Sequence, residues 1–348
     1  MNIKRLFGRK EAQPLRLANV LDKHLAIITS SYRIKNVIFS MSIALAMLFM
    51  GYRFVYMEQD NIAKSANHIA KISLKGAVSS GNDQGSGLKL SKALMQAMRN
   101  ENASAILIEA NSGGGSPVQA EIIQSAIIEA KSMRDEAAIE ISEMFDPDAL
   151  ISTTKRLKLE SYNKPIVVVM TDMCASACYL AVSQADRLIA HPSSLVGSIG
   201  VRIDAWQFSD ALKQLGVSKI TFKSTQDKTL LDPFEKMTDT QRDTVMNEMI
   251  DPIYEIFMSA VRESRGEKLV GEENELFSGR VFHGTKAKSL GLIDEVSTIN
   301  KVLNELELEV GTKNVVEYNQ KKFSIQQVLT SSIKEALVEL SSSNYQIH

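Results

Sequence analysis

The sequence predicts an α/β domain with a largely parallel β-sheet, preceded by one membrane-spanning helix. From about residue 69 onward, short apolar segments typical of buried strands alternate with helical stretches. Such alternation favours parallel strands joined by crossover helices. Upstream, residues 37–52 form an uncharged apolar run. These two observations divide the chain into an anchor and an α/β domain.

The apolar run, VIFSMSIALAMLFMGY, reaches about 20 residues (37–56) if Arg53 extends its charged end to the interface. Eight Lys and Arg against one Glu and one Asp precede it, within residues 1–35. Such a basic excess stays in the cytoplasm. We therefore expect a cytoplasmic leader (1–36), an anchor in the lipid bilayer of a bacterial inner membrane, and a periplasmic or otherwise extracytoplasmic domain. A cleaved signal peptide is the alternative, but the leader is long and no small-residue cleavage site follows the run.

The predicted elements follow one another in a regular order. The strands and helices are Ile69–Leu74, Leu88–Arg99, Ala105–Ala110, a helix from Pro117, Ile166–Met170, a helix from about Ala175, and Leu188–Ala190. A long helical stretch, Asp232–Arg265, comes next, and Ser324–Leu340 has apolar residues at helical spacing. We expect the α/β domain over residues 57–310 and an extension with an amphipathic helix over 311–348.

Charge and cysteine content exclude some classes of function. The formal net charge of −1 gives no sign of a nucleic-acid partner. The chain has two cysteines, Cys174 and Cys178, too few for a disulfide scaffold. Four residues apart, they would lie one turn apart on a helix, a poor geometry for a disulfide. We therefore expect two small buried side chains.

A glycine-rich loop, NSGGGSP (residues 111–117), lies where a strand gives way to a helix. Ser116 suits the N-cap, Pro117 the first helical position, and Gln119 the closing position of a capping box. Glycines at such a turn let backbone N–H groups approach a phosphate or a developing oxyanion. Neither a Walker lysine nor a complete GxGxxG follows, so a nucleotide site is weakly supported. A tight turn without function is the other interpretation.

Three further motifs carry groups suited to catalysis. Ser176 lies among small residues where the strand ending near Met170 passes into a helix, whose N-terminus favours negative charge. Serines in that position are usually only caps. Downstream, the LVGSIGV motif contains Ser198 and the KSTQDK motif contains Lys228. A lysine can replace histidine as general base where burial disfavours its ammonium form, although most lysines are simply solvated.

Taken in order, the blocks NSGGGS, ASAC, LVGSIGV, KSTQDKTLLDP and FSGRVFHGTKAKSLGLIDE resemble the signal peptide peptidase A (protease IV) family. The resemblance covers about two-thirds of the chain, and Ser198 and Lys228 follow Ser176 at the spacing of the short members. It implies the Clp protease/crotonase fold and an endopeptidase without metal or cofactor. It also implies Ser176 as nucleophile, Lys228 as general base, Ser198 as the group orienting the lysine, and backbone N–H groups of Gly114 and Ala177 as oxyanion hole. Expected substrates are signal-peptide remnants or other membrane-associated polypeptides.

Two-domain members of the family place the serine and lysine in different halves. The resemblance therefore implies a homo-oligomer in which neighbouring subunits share each site. The chain also departs from the family pattern. Ala177-Cys178 stands where Gly-Gly is usual, Gly113-Gly114-Gly115 stands where Pro-Gly-Gly is usual, and residues 133–161 form a probable insertion, acidic in front and basic behind. We expect that insertion to fold back as a flap beside the substrate groove.

Three other functions remain open at this stage. A Ser-His-Asp hydrolase would have to use His191 or His283, both in turn-like contexts. An acyl-CoA enzyme of the crotonase type would share the implied fold, but the anchor separates the domain from cytoplasmic acyl-CoA. A catalytically silent scaffold of a membrane assembly would keep the fold for oligomerisation alone.

Overall fold

The computed structural model describes residues 63–143 and 153–320, together with seven positions between Phe39 and Gly51. The chain divides into two units, Met1–Ala63 and Lys64–His348. In the first unit the seven described positions between Phe39 and Gly51 are helical and exposed. Within the described part of the chain, no helix is both long enough and apolar enough to span a membrane. Most of the predicted anchor, 37–56, lies outside the described residues, as does all of Ser324–Leu340.

An eight-stranded sheet forms the centre of the second unit, as far as it is described. Its strands are β1 (His68–Lys75), β2 (Ala103–Ser112), β3 (Ile166–Ala175), β4 (Arg187–Ala190), β5 (Leu195–Gly197), β6 (Val281–His283), β7 (Glu295–Val296) and β8 (Val315–Glu317). The main order is β6-β5-β3-β2-β1-β8, with β4 between β3 and β7. All pairs are parallel except β5 with β6. The predicted mixed α/β fold with a mostly parallel sheet is confirmed.

The helices cover both faces of the sheet. They are α1 (Gly87–Arg99), α2 (Pro117–Glu143), α3 (Thr153–Glu160), α4 (Ala177–Val182), α5 (Ser209–Gln214), α6 (Asp239–Thr244), α7 (Asp251–Arg265), α8 (Glu273–Leu276), α9 (Gly284–Ser289) and α10 (Ile299–Val310). A π-helical turn, Val245–Ile250, joins α6 to α7, and 3-10 turns occur at Gln226–Thr229 and Gly266–Lys268.

Successive residues of the central strands pack on opposite faces, as the pleat of a strand requires. In β2, Ile106 and Ile108 belong to the larger apolar cluster, which also contains residues of α1, α2, α4 and α7. Ala105 and Leu107 belong to a smaller cluster that α10 covers. Since both faces are buried, the strands appear in the sequence as continuous apolar runs rather than alternating ones.

Three details differ from the sequence expectations. The stretch Asp232–Arg265 is not one helix: helix α6 begins only after Thr238, which forms a capping box with Gln241. Ser116 Oγ does accept the Gln119 N–H (3.4 Å), but the Gln119 side chain accepts the Gly87 N–H at the start of α1 (2.8 Å) instead of closing a capping box. Strand β8 pairs with β1, so residues 315–317, predicted to belong to a C-terminal extension, are part of the sheet.

Candidate active site

Ser176 occupies a sharp turn between β3 and α4. Its backbone has φ 54° and ψ −127°, a positive φ that residues other than glycine seldom adopt. The Ser176 N–H donates to the Gly197 carbonyl of β5 (2.8 Å), and the Ser176 carbonyl accepts the Leu180 N–H in α4 (3.1 Å). The turn directs the chain out of the sheet, and the half-buried Ser176 lines a cavity there.

The glycine loop meets this turn at Gly114. A Cβ atom at Gly114 would lie 2.8 Å from the Ser176 Cβ and 3.1 Å from the Ala177 nitrogen, and φ is 103°. Only a glycine backbone fits so close. The loop is fixed on its other side, because the Val78 N–H donates to the Gly114 carbonyl (2.9 Å). The Gly114 backbone therefore packs directly against Ser176 and Ala177.

A cavity of about 750 Å³ opens beside Ser176. Its wall contains the glycine loop, Ser176, Ala177 and Ser198. The remaining lining is mainly apolar, with one arginine: Pro117, Met173, Ala175, Leu180, Gly200, Val201, Arg202, Ile253, Phe257, Gly279 and Val281. An extended chain with apolar side chains matches such a lining.

Ser198 follows β5 and, like Ser176, has a positive φ (51°). Its N–H donates to the Arg280 carbonyl (2.7 Å), which ties the residue to the segment leading into β6. The side chain is half-buried and lines the same cavity. The structure thus brings together four of the five predicted site residues, Ser176, Ser198, Gly114 and Ala177.

Lys228 is the fifth predicted site residue, and within one subunit it lies outside the lining of the Ser176 cavity. It belongs to the 3-10 turn Gln226–Thr229, is exposed, and is not among the residues that line the cavity. The surrounding segment, residues 201–237, carries large exposed apolar side chains, including Trp206 (76% exposed) and Phe222 (96% exposed). Within one subunit, the lysine is therefore apart from the serine's cavity.

The two histidines considered for a Ser-His-Asp site both cap helices. His191 Nε2 accepts the Ile299 N–H at the start of α10 (3.0 Å). His283 Nδ1 accepts the Lys286 N–H at the start of α9 (3.4 Å). Neither lines the cavity of Ser176. This arrangement gives no support to a histidine base.

The expectation that Cys174 and Cys178 are two unlinked side chains is wrong. They form a disulfide with a Cα–Cα distance of 5.2 Å. The expectation assumed that both lie on one helix, whereas Cys174 belongs to β3 and Cys178 to α4. The turn at Ser176 brings their side chains together. The abrupt change from strand to helix within the CASAC motif was the available sequence signal.

The segment 133–161 contains the end of α2 and all of α3. The two helices pack together, and an ion pair joins Lys155 to Glu140 (2.6 Å). None of its described residues lines the cavity. The flap prediction therefore depends on residues 144–152, which lie outside the described residues.

Sequence reasoning also missed Ser112. This buried residue ends β2, and its Oγ accepts the Gly114 N–H (3.1 Å). It therefore accepts the same N–H that is predicted to bind an oxyanion. Because an amide carries one hydrogen, an oxyanion would have to share that hydrogen with Ser112 or replace Ser112 as its acceptor. A serine inside a glycine-rich loop carries no distinctive sequence signal, because its role depends on which way the loop folds.

Comparisons with known proteins match the part of the chain that contains Ser176, Ser198 and Lys228. Residues 158–313 match the model of peptidase family S49. A Methanocaldococcus jannaschii protein named as a predicted protease is 34% identical over 157 residues, 44% of this chain and 50% of that protein. A predicted signal peptide peptidase of Enterococcus faecium is 28% identical over 46% of this chain and 47% of its own length. The resemblance to the signal peptide peptidase A family is confirmed.

Another relative bears a different name. A Brucella melitensis protein named Na(+)/H(+) antiporter NhaA is 35% identical over 203 residues, 58% of this chain but 23% of that protein. The name describes a protein of which less than a quarter is matched. The chain thus spans between about a quarter and a half of these three curated relatives.

Among solved structures, the chain is similar to the S97A mutant of a membrane-bound stomatin-specific protease named 1510-N. The TM-score is 0.37 at 12% identity, over 73% of this chain and 94% of that one. The Clp protease/crotonase assignment within the α/β class stays a prediction.

Proposed function

We propose that the chain, whose residues 158–313 match the model of peptidase family S49, is a serine endopeptidase with Ser176 as nucleophile and Lys228 as general base. The observation that carries the proposal is the turn at Ser176. The serine lies at the wall of a cavity, and the Gly114 backbone closely approaches both Ser176 and the Ala177 nitrogen.

The proposed reaction uses these groups in sequence. Ser176 Oγ attacks the carbonyl carbon of the scissile bond and passes its proton to the neutral amine of Lys228. The N–H groups of Gly114 and Ala177 stabilise the oxyanion of the tetrahedral intermediate. The lysine then protonates the leaving amine, and water hydrolyses the acyl-enzyme. Ser198 Oγ orients the lysine amine. No metal or cofactor takes part.

Lys228 comes from a neighbouring copy of the chain in this proposal. Its turn is exposed in the single subunit and lies within a segment that presents Trp206 and Phe222 to solvent. Exposed apolar surface of this kind is typical of an interface. A homo-oligomer with sites shared between subunits would bury it and bring the lysine to Ser176.

The apolar lining of the cavity supports signal-peptide remnants or other membrane-associated polypeptides as substrates. The proposal includes an anchor in the bilayer at residues 37–56 and a domain outside the cytoplasm. A reporter that works only outside the cytoplasm should be active when it is fused after residue 60. An inactive fusion of that kind, together with an active fusion of a cytoplasm-specific reporter at the same position, would overturn the localisation.

The nucleophile is tested by labelling with a fluorophosphonate probe. The detergent-solubilised chain should be modified at Ser176, as identified by mass spectrometry of its peptides. Ser176→Ala should lose both the label and peptide hydrolysis. The exposed Ser193 gives a matched control, because Ser193→Ala should keep both. An unlabelled Ser176 without peptide hydrolysis would contradict the peptidase and favour the silent scaffold.

A further inference from the structure

A disulfide spans the turn that carries the proposed nucleophile. Cys174 precedes Ser176 by two residues and Cys178 follows it by two, and the bond joins the end of β3 to the start of α4. Both cysteines are fully buried, and neither lines the cavity. The bond therefore lies on the core side of the turn, behind the serine.

The turn has a backbone conformation that needs such support. Non-glycine residues with positive φ persist where the surrounding structure holds them in place. On one side, the Ser176 N–H is held by the Gly197 carbonyl (2.8 Å). The disulfide supplies a covalent restraint on the residues before and after Ser176.

The same bond connects the two halves of the proposed oxyanion hole. Cys174 is the register partner of Ser112 in β2, and Ser112 Oγ accepts the Gly114 N–H (3.1 Å). Cys178 directly follows Ala177. The Gly114 amide is thus connected to Ser112 by a hydrogen bond, Ser112 to Cys174 by strand pairing, and Cys174 to Cys178, beside Ala177, by the disulfide.

We propose that the Cys174–Cys178 disulfide is a positioning element of the active site, which fixes the Ala177 N–H relative to the Gly114 N–H around Ser176. Opening the bond lowers turnover while the fold stays in place. This inference rests on the proposed function, because it needs Ser176 as the nucleophile.

A general stabilising role fits the bond less well. It closes a loop of only about five residues, so its restraint on the unfolded chain, about 2 kcal/mol, is smaller than that of a longer crosslink. Helix α4 also has an anchor independent of the sulfur atoms, since the buried Tyr179 hydroxyl donates to the Leu292 carbonyl (2.6 Å). The bond therefore acts on the geometry of the turn.

Reduction gives a test without any mutation, because the chain contains these two cysteines and no others. A dithiol reductant forms its own disulfide and leaves a thiol on Cys174 and on Cys178, so two electrons and two protons pass to the protein. The full chain would be purified in detergent under air, or with the dithiol from cell lysis onward. Alkylation in denaturant and mass spectrometry would count the thiols, zero or two.

The reduced protein should show a kcat about 10-fold lower, as expected when an oxyanion donor is displaced rather than removed. Its affinity for a peptide aldehyde, which mimics the tetrahedral intermediate, should fall in parallel. KM should stay within about twofold, and the thermal unfolding temperature should fall by only a few degrees. Cys174→Ala/Cys178→Ala should match the reduced protein and show no response to the dithiol.

The positioning role would be overturned if protein in which both thiols are detected kept its kcat and its affinity for the aldehyde. It would also be overturned if the air-purified protein already contained two thiols, because the disulfide would then be absent. A loss of turnover that merely follows a lower unfolding temperature would also overturn it. Where the air-purified chain hydrolyses peptide no faster than Ser176→Ala, the proposed function itself fails, and the positioning role fails with it.

Discussion

Gly114 contacts the turn of Ser176 so closely that its lack of a side chain has a direct consequence. A Cβ there would lie 2.8 Å from the Ser176 Cβ and 2.9 Å from the Ala175 carbonyl oxygen, at a φ of 103°. Gly114→Ala should therefore displace both the serine and the Gly114 amide. We expect kcat/KM to fall about 100-fold, the usual effect of losing an oxyanion donor.

The neighbouring glycine provides the control. A Cβ at Gly113 would meet only the flexible Met173 side chain, at 3.5 Å. Gly113→Ala should thus keep most of the activity. Peptide hydrolysis by the two variants, side by side, checks the prediction. Equal effects would show that the approach of Gly114 to Ser176 is unimportant.

Lys228 yields a second prediction at the scale of single residues. A guanidinium stays protonated and cannot accept the proton of Ser176. Lys228→Arg should therefore lower kcat/KM about 1,000-fold or more, the order expected when general base catalysis is lost. The rate would be measured across the pH range in which the enzyme is stable.

Lys223→Arg is the matched control for this change. Lys223 lies on the same segment and pairs with Glu235 (2.6 Å), an interaction that arginine can keep. That variant should remain active. A Lys228→Arg enzyme with most of the wild-type rate would exclude Lys228 as the base.

At the scale of elements, Asp294 joins the end of α7 to the sheet. The almost fully buried Arg265 donates to both carboxylate oxygens of Asp294 (2.9 and 3.1 Å). The same carboxylate accepts a hydrogen bond from Lys268 (2.8 Å) and one from the Leu188 N–H of β4 (2.8 Å). Burial raises the pKa of Asp294, but these hydrogen bonds outweigh it and hold the pKa at about 2.

Asp294→Asn should cost about 3 kcal/mol of unfolding free energy near neutral pH, because it leaves the Arg265 charge buried without its partner. A carboxyl with a lowered pKa stabilises the fold above its unfolded pKa of about 4 and loses that contribution as pH falls toward about 2. The difference in unfolding free energy between wild type and Asp294→Asn should therefore become smaller as the pH falls from about 5 to about 2. Chemical denaturation at these pH values measures it.

Asp239→Asn serves for comparison, since Asp239 forms an exposed pair with Arg242. Asp239→Asn should lower the unfolding free energy by less than about 1 kcal/mol. If the two variants had equal unfolding free energies, the hydrogen bonds of Asp294 between α7 and the sheet would not stabilise the fold more than an exposed ion pair does.

At the scale of the whole molecule, the site needs a residue that the subunit does not bring to its own cavity. Ser176 lines the cavity and Lys228 does not. When sites are shared, mixed oligomers of Ser176→Ala and Lys228→Ala subunits contain some sites with both groups intact. Random mixing in equal amounts should restore about a quarter of the wild-type activity.

Mixing Ser176→Ala with the Ser176→Ala/Lys228→Ala double variant gives the control, which should stay inactive because every serine is missing. Native mass spectrometry would verify that the subunits exchange. Verified mixed oligomers without recovery would mean that each subunit completes its own site.

The sequence by itself determined the α/β class, the positions of the main strands, and the groups around Ser176. Buried parallel strands are continuous apolar runs, and strand-to-helix turns require small residues, so both leave a local signal. The roles of Ser198 and Gly114 came instead from the resemblance of the ordered motifs to the signal peptide peptidase A family.

Only the tertiary structure decided which side chains meet. It linked Cys174 to Cys178, placed Ser112 under the Gly114 amide, and left Lys228 on an exposed turn. Each of these facts depends on the direction in which the chain leaves a turn or on the pairing of distant strands. Such contacts are fixed by packing between elements and have no period in the sequence. The local pattern determines an element, whereas the geometry between elements determines a site.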